Sequence, residues 1–336
     1  MKSLMIKNIA LGLLIAGCAA SNAYALTGVS AKYIVGNAPV IKSLGGKDHS
    51  LTVSVSSDAD GNNTVGGRAA KVNDYVVIEY NLHDEDGDSD PSGKVVKETF
   101  KAFYKSASGE WKEASLTESD IKFSNGKITF KITNEFAGAT QIGFKVLEKT
   151  EFGLPYTNKW LKVADIWSKQ APGQVDTLDP TDPSKAPSDD INGPTKDEIG
   201  SNPNDGPGEQ KDPNKITNGP IESDDMRVYI LAADSNDNYS ITGSTFVPKQ
   251  GGKYRAVVWL DSNGNGALDS GETDLSANYN FTWELEGTYA GVGATTDSLS
   301  QNQNITLGQL NNDSMYSTTY KAGAQGYKLK VTATAK

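Results

Sequence analysis

The sequence has almost no thiol chemistry. Cys18 is its single cysteine, and it stands inside an apolar N-terminal stretch. A body exported without that stretch carries no disulfide and no cysteine nucleophile, and each folded part must rest on its own core. Histidine is nearly as scarce: His49 and His83 are the two in the chain, too far apart for an H-E-x-x-H pair. There is no G-x-S-x-G elbow and no P-loop. A glycosidase pair of carboxylates is defined by separation in space, not by spacing in sequence. The acids here gather in turns, where solvation is the default, so the sequence points away from an enzyme. Nor does a second apolar run of about twenty residues appear, so nothing after the N-terminus has the makings of a transmembrane helix.

What is present begins with an export signal. Lys2 and Lys7 precede an apolar stretch, IALGLLIAG (9–17), and Ala23-Tyr24-Ala25 supplies small residues for cleavage before Leu26. A competing cut exists: Ile15-Ala16-Gly17-Cys18 has the form of a lipobox, in which Cys18 would carry lipid. Residues 1–25 therefore read as a signal peptide, with an outer-membrane lipoprotein anchored at Cys18 as the alternative. Removing Lys2 and Lys7 from the 32 basic residues leaves 30 against 42 acidic ones, a net charge of −12. That balance disfavours nucleic acid and anionic membranes as partners and suits divalent cations.

Composition changes near Lys169. Between Lys169 and Glu222 there is no aromatic residue, nine of the 13 prolines fall there, and eleven acids against five lysines give −6. Such a stretch has little apolar surface to offset its ordering entropy. Residues 169–222 are expected to be a disordered, extended acidic linker between two folded units, 26–168 and 223–336. Both units read as β-rich. Lys127–Ile132 alternates, with Ile128, Phe130 and Ile132 on one face; Tyr75–Leu82, Ile142–Val146, Met226–Leu231, Tyr254–Leu260, Tyr279–Leu285 and Tyr327–Thr332 have strand composition. The class expected is all-β, two antiparallel sandwiches. Trp111, Trp160, Trp259 and Trp283 are the natural core anchors.

The units also share landmarks. A strand from Tyr75 leads to Asp84-Glu85-Asp86-Gly87-Asp88, and one from Tyr254 leads to Asp261-Ser262-Asn263-Gly264-Asn265. FAGATQIGFKV (136–146) parallels KAGAQGYKLKV (321–331). The same order of landmarks suggests a diverged tandem repeat.

DSNGNGALDSGE (261–272) fits the twelve-residue calcium loop D-x-[DN]-x-[DN]-G-x₅-E throughout. Asp261, Asn263 and Asn265 offer side-chain oxygens, Ala267 its carbonyl, Asp269 a carboxylate and Glu272 a bidentate one, while Gly266 allows the sharp turn. A strand, not a helix, precedes it. With three carboxylates and two amides, the affinity expected for Ca²⁺ is weak, on the order of 10⁻⁴–10⁻³ M, and the role structural. The metal-free alternative is an Asn-Gly hairpin turn. In the sister loop, LHDEDGDSDPSG (82–93), Asp84, Asp86, Asp88 and Asp90 alternate, but the glycine is displaced and Val95 replaces the bidentate acid. A solvated turn is its ordinary reading.

GNAPVIKSL, YNLHDEDGDSDPSG, YRAVVWLDSNGNGALDSGE and TYKAGAQGYKLKV resemble an enterobacterial group, the SinI family of autotransporter-associated proteins, related to the ZirS exoprotein. The resemblance touches both units and carries no catalytic motif. It implies immunoglobulin-like domains and partnership with an intimin- or invasin-type outer-membrane β-barrel. The expected function is that of an exported, surface-associated interaction protein with one domain stiffened by calcium. Two alternatives stand beside it. One is a free-standing adhesin module binding a glycan or host receptor, which aromatics exposed near 261–272, such as Trp283, would favour. The other is a scaffolding lipoprotein.

Overall fold

The computed structural model describes residues 27–31, 34, 36–177, 192–212, 220–270, 272–289, 291–294, 298–307 and 324–336. The expected signal and Cys18 lie outside them, as do parts of the expected linker and most of the Ala-Gly-Ala turn at 322–324. The chain divides into Met1–Val35 and Gly36–Lys336. In the first, Val29 and Ile34 are exposed. The second holds the strands found among the described residues and is β-rich, in antiparallel sheets with one parallel edge pairing.

Its first lobe runs β1 (Val40–Lys42), β2 (Leu51–Ser56), β3 (Tyr75–Glu79), β4 (Asn81–His83), α1 (Lys94–Thr99), β5 (Lys101–Lys105), β6 (Trp111–Glu113), β7 (Ile121–Ser124), β8 (Lys127–Lys131), β9 (Gln141–Lys149) and β10 (Thr157–Val163). Then come β11 (Gly173–Asp176), the short helix α2 (Lys196–Ile199) and β12 (Gly208–Gln210). Two five-stranded sheets result, ordered β12-β2-β3-β8-β7 and β11-β10-β9-β5-β6, while β1 and β4 pair separately. The period-two pattern explains the core. Opposite partners Val53 and Ile78, Val55 and Val76, Val76 and Phe130, and Ile78 and Ile128 put one face of the first sheet inward. Ala102, Tyr104, Ile142, Phe144, Val146, Leu161 and Val163 of the second sheet belong to the same buried cluster. Rings thicken its middle: Phe100 lies 5.7 Å from Phe130 and 5.9 Å from Phe144, centroid to centroid.

The second lobe comprises β13 (Met226–Ala232), β14 (Lys253–Leu260), β15 (Tyr279–Glu286), β16 (Thr288–Tyr289), β17 (Val292–Gly293), β18 (Asn304–Thr306) and β19 (Lys328–Ala335). Its sheets are β13-β14-β18, β15-β19 and the small β16-β17 hairpin. Along β15, Tyr279, Phe281, Trp283 and Leu285 are buried while their neighbours are more exposed, which is the half-buried strand pattern. Trp160, Trp259 and Trp283 are buried as expected of anchors; Trp111 is only half-buried.

The two lobes share more than turn sequences. In the first, β2-β3-β8 and β5-β9 pair; in the second, β13-β14-β18 and β15-β19 do so in the same chain order. One landmark differs. The strand from Tyr75 stops at Glu79, and after Tyr80 the chain enters a different sheet as β4 before reaching Asp84. In the second lobe β14 runs straight into Asp261.

The expected disordered linker needs correction wherever residues 169–222 are described. β11 extends one sheet edge through β10, and β12 pairs in parallel with β2 at the edge of the other. Prolines are tolerated at such edges, where an N–H can be spared; Pro207 even accepts the Leu51 N–H at 2.8 Å. Helix α2 starts with a capping box between Thr195 and Glu198. It lays Ile199 against Phe103, Ala164 and Trp111 on the outer face of the second sheet. Ile221 enters the main core. Each isoleucine is fully buried, worth about 1.5–3 kcal/mol. The mean composition of the stretch does not reveal that a few side chains find ready-made sites on the preceding lobe. From Ile221 the chain goes directly into the second lobe, with the Gly138 N–H on the Ile221 carbonyl at 2.8 Å and Lys71 paired to Asp224 at 3.4 Å.

Two acidic loops as candidate metal sites

The loop after β14 folds around its own first residue. Asp261 is buried. Its Oδ1 accepts the Asn265 N–H (3.1 Å), and its Oδ2 accepts the Gly266 N–H (3.0 Å) and the Tyr229 hydroxyl. Gly266 sits at φ 71°, and a Cβ there would meet Ile241 at 2.1 Å, so both conformation and space call for glycine. Asn238 donates to the Gly266 carbonyl at 2.6 Å. Beneath the loop, Leu268 joins a small cluster with Tyr229, Ile241 and Trp259, the two rings stacked 4.2 Å apart. Burial first, and then the bond to Asp261, push the Tyr229 hydroxyl up to about 12, so it stays a donor.

The remaining ligand candidates satisfy one another. Asn263 and Asn265 each donate a side-chain N–H to Asp269 Oδ2 at 2.8 Å, which holds that carboxylate below its usual range. Their Oδ1 atoms accept the Asn265 and Ala267 N–H groups at 3.0 and 2.7 Å. Glu272 accepts from the Ser262 and Asp269 N–H groups at 3.2 and 3.1 Å. The structure thus brings Asp261, Asn263, Asn265, Ala267, Asp269 and Glu272 into one turn. A cation entering it would compete with the two amide donors on Asp269.

The sister loop, between β4 and α1, is built differently. Asp84, Asp86 and Asp88 each bring a carboxylate oxygen within 4.8 Å of the other two, a group that can hold a metal ion. Like charges so close repel by roughly 1–3.5 kcal/mol per pair at effective dielectrics of about 80 to 20. None of the ion pairs among the described residues includes these acids or Asp90. Backbone amides supply part of the compensation: Asp84 Oδ1 accepts the Asp86 N–H at 2.8 Å, and Asp90 Oδ2 the Val96 N–H at 3.1 Å. Asp84 Oδ2 and Asp90 Oδ1 are buried with no hydrogen-bond partner. Asp84 is 8 % exposed and Asp90 5 %, so these two carboxylates are withdrawn from solvent while Glu85, Asp86 and most of the turn stay exposed, as a solvated turn would be.

This loop also ties two other segments together. Asp86 accepts the backbone and side-chain N–H groups of Asn37, the latter at 2.9 Å. Asp88 presses on Gly153 in the turn between β9 and β10, where φ is 100° and an added Cβ would come within 1.9 Å of the carboxylate. The Glu151 N–H reaches the Ser89 carbonyl at 3.0 Å. The turn so held carries Phe152 and Leu154 outward, 61 % and 67 % exposed. The signal for this pair in the sequence is a Phe-Gly-Leu-Pro run between two strands.

Trp283, by contrast, is fully buried and donates its indole N–H to the Asn302 carbonyl at 2.8 Å. It is no exposed aromatic platform. A scan against protein-family models found no match, and searches of the curated proteins and of the solved structures found none either.

Proposed function

We propose that the chain is an exported interaction protein of the bacterial surface, made of two immunoglobulin-like sandwiches and working with an outer-membrane β-barrel of the intimin/invasin type. The strand orders support the domain class. With β2, β3, β5, β7, β8, β9 and β10 lettered A, B, C, D, E, F and G, the two sheets of the first lobe read A-B-E-D and C-F-G, the immunoglobulin arrangement. The β-barrel partner follows from the resemblance to the SinI family.

The observation that carries a binding role is the Phe152–Leu154 tip. Two large apolar side chains stand in solvent on a turn pinned from behind by Asp88 and Ser89. Preorganised apolar anchors of this kind lower the ordering cost of association. In this reading calcium at 261–272 stiffens the second lobe. The docked stretches at 196–212 and 220–222 support two lobes held close over two lobes on a long flexible tether. The buried Trp283 gives the glycan-platform alternative no support.

The test is co-purification of the tagged chain from the cell surface. Recovery of an outer-membrane β-barrel with the wild type, and at least tenfold less with F152S/L154S, is the expected result. An equal yield from that variant removes the tip from the reading, and no barrel in either sample removes the partner. Palmitate labelling that disappears in Cys18→Ser would move the protein to the lipoprotein alternative.

A further inference from the structure

We infer that the Asp84–Asp86–Asp88 loop is a divalent-cation site of calcium type, and that the ion fastens the turn that displays Phe152 and Leu154. Three observations converge on it. The three carboxylates meet within 4.8 Å of one another. The most buried of them, Asp84, has one oxygen on a backbone amide and the other, Oδ2, without any partner. Burying a carboxylate oxygen unpaired is costly, and a cation is the partner that satisfies several such oxygens at once. Finally, none of the ion pairs among the described residues draws these acids to a lysine or arginine.

The donor set favours Ca²⁺. It is purely oxygen and crowded with carboxylates on one irregular loop, and carbonyls or water would complete six to eight ligands. Mg²⁺ keeps most of its water and rarely takes three carboxylates from so short a segment. The ion would act beyond the loop. Asp86 holds Asn37, and Asp88 lies against Gly153. Neutralising their mutual repulsion draws the 36–37 segment and the 151–155 turn onto the same support. This last step rests on the binding reading above, whereas cation binding itself does not.

The experiment is calorimetric titration of the full chain with CaCl₂ and, separately, MgCl₂. It uses the wild type, D86N/D88N, and D269N/E272Q in the other loop. Asp86 and Asp88 are chosen because they are less buried than Asp84, and circular dichroism checks that each variant is folded. A Ca²⁺-binding step that weakens at least tenfold in D86N/D88N and persists in D269N/E272Q is expected. The proposal is overturned by a wild type without binding heat, by D86N/D88N binding as many Ca²⁺ ions as the wild type and as tightly, or by Mg²⁺ binding as tightly as Ca²⁺. Chymotrypsin cleavage after Phe152 reads the second half. At least fivefold slower cleavage in Ca²⁺ than in EGTA is expected for the wild type, with no difference for D86N/D88N. Equal cleavage in the presence of binding heat refutes the fastening of the tip while leaving the cation site, and the partner-capture assay remains an independent measure of the tip's function.

Discussion

Replacing His49 by alanine should destabilise the first lobe by about 3 kcal/mol, and the loss should depend on pH. Glu148, on β9, is fully buried. Its carboxylate is held by the Ile41 N–H at 2.9 Å and by His49 Nδ1 at 2.9 and 3.1 Å from its two oxygens. Removing the imidazole leaves one amide on a buried carboxylate. Breaking a fully buried pair costs about 3–5 kcal/mol; the low end applies because the His49 side chain is 25 % exposed and water can follow it in. The hydrogen bond to Glu148 raises the His49 pKa above its ordinary 6.5. A raised folded value means that the imidazolium's contribution is complete below about pH 6.5 and is lost as pH rises through the folded value. Burial pushes Glu148 upward from 4.5 against the pull of His49. Its contribution has the same sign lower on the scale, falling as pH climbs above about 4.5. Urea unfolding of the full chain, followed by tryptophan fluorescence at pH 6.0 and 8.0, measures both effects. The wild type should be less stable at pH 8.0 than at pH 6.0. An alanine variant within about 0.5 kcal/mol of wild type, or a wild type equally stable at the two pH values, refutes the pairing argument. Glu148→Gln, which retains hydrogen bonding without charge, should flatten the pH dependence at a smaller cost.

Three further outcomes follow from the packing and the loops. Trp283→Ala should cost about 3–5 kcal/mol in urea unfolding, because the ring is fully buried and its N–H is spent on Asn302; a cost below about 1 kcal/mol contradicts its place in the core. Ile221→Ala should cost about 2–4 kcal/mol and open the 196–222 segment to limited proteolysis, whereas unchanged stability would return that segment to the status of a free linker. For calcium at 261–272, D86N/D88N is the useful background: if Kd is about 10⁻⁴ M, 1 mM Ca²⁺ adds about 1.4 kcal/mol over EGTA. D269N/E272Q should erase that gain, and identical melting with and without Ca²⁺ would remove the ion from this loop.

Strands and anchors were legible in the sequence because they are periodic. Ile128, Phe130 and Ile132 alternate with polar residues, and the structure buries all three. What could not be read was pairing at a distance. The stretch after Lys169 has no aromatic residue and nine prolines, and on composition it cannot fold alone. It does not fold alone: β11 and β12 borrow edges that β10 and β2 already present, and Ile199 and Ile221 fill sites made by other segments. Composition measures a segment's own apolar supply, and carries no information about sites supplied elsewhere. The passage of Tyr80 from one sheet to the next was hidden for a related reason, since Tyr75–Leu82 reads as one run while its register is divided between β3 and β4.

The two acidic loops differ in what a cation would meet. A calcium-loop pattern specifies the order of oxygen ligands, but Asn263 and Asn265 bring N–H donors along with their oxygens. In the loop that fits the pattern throughout, those donors already occupy Asp269 Oδ2. Amides therefore act twice against the cation: they lower the charge that attracts it and they offer the acids an internal partner. The loop that departs from the pattern has carboxylates at 84, 86, 88 and 90 and no side-chain amide among them. Ionised carboxylates only accept. Every donor must then come from outside their side chains, and the available N–H groups of Asp86, Asn37 and Val96 leave Asp84 Oδ2 and Asp90 Oδ1 over. Ranked by motif, the 261–272 loop is the better metal site; ranked by unmet demand for positive charge, the 84–90 loop is. The second ranking weighs the competition a cation would meet as well as the ligands it is offered, and titration of D86N/D88N against D269N/E272Q decides between the two.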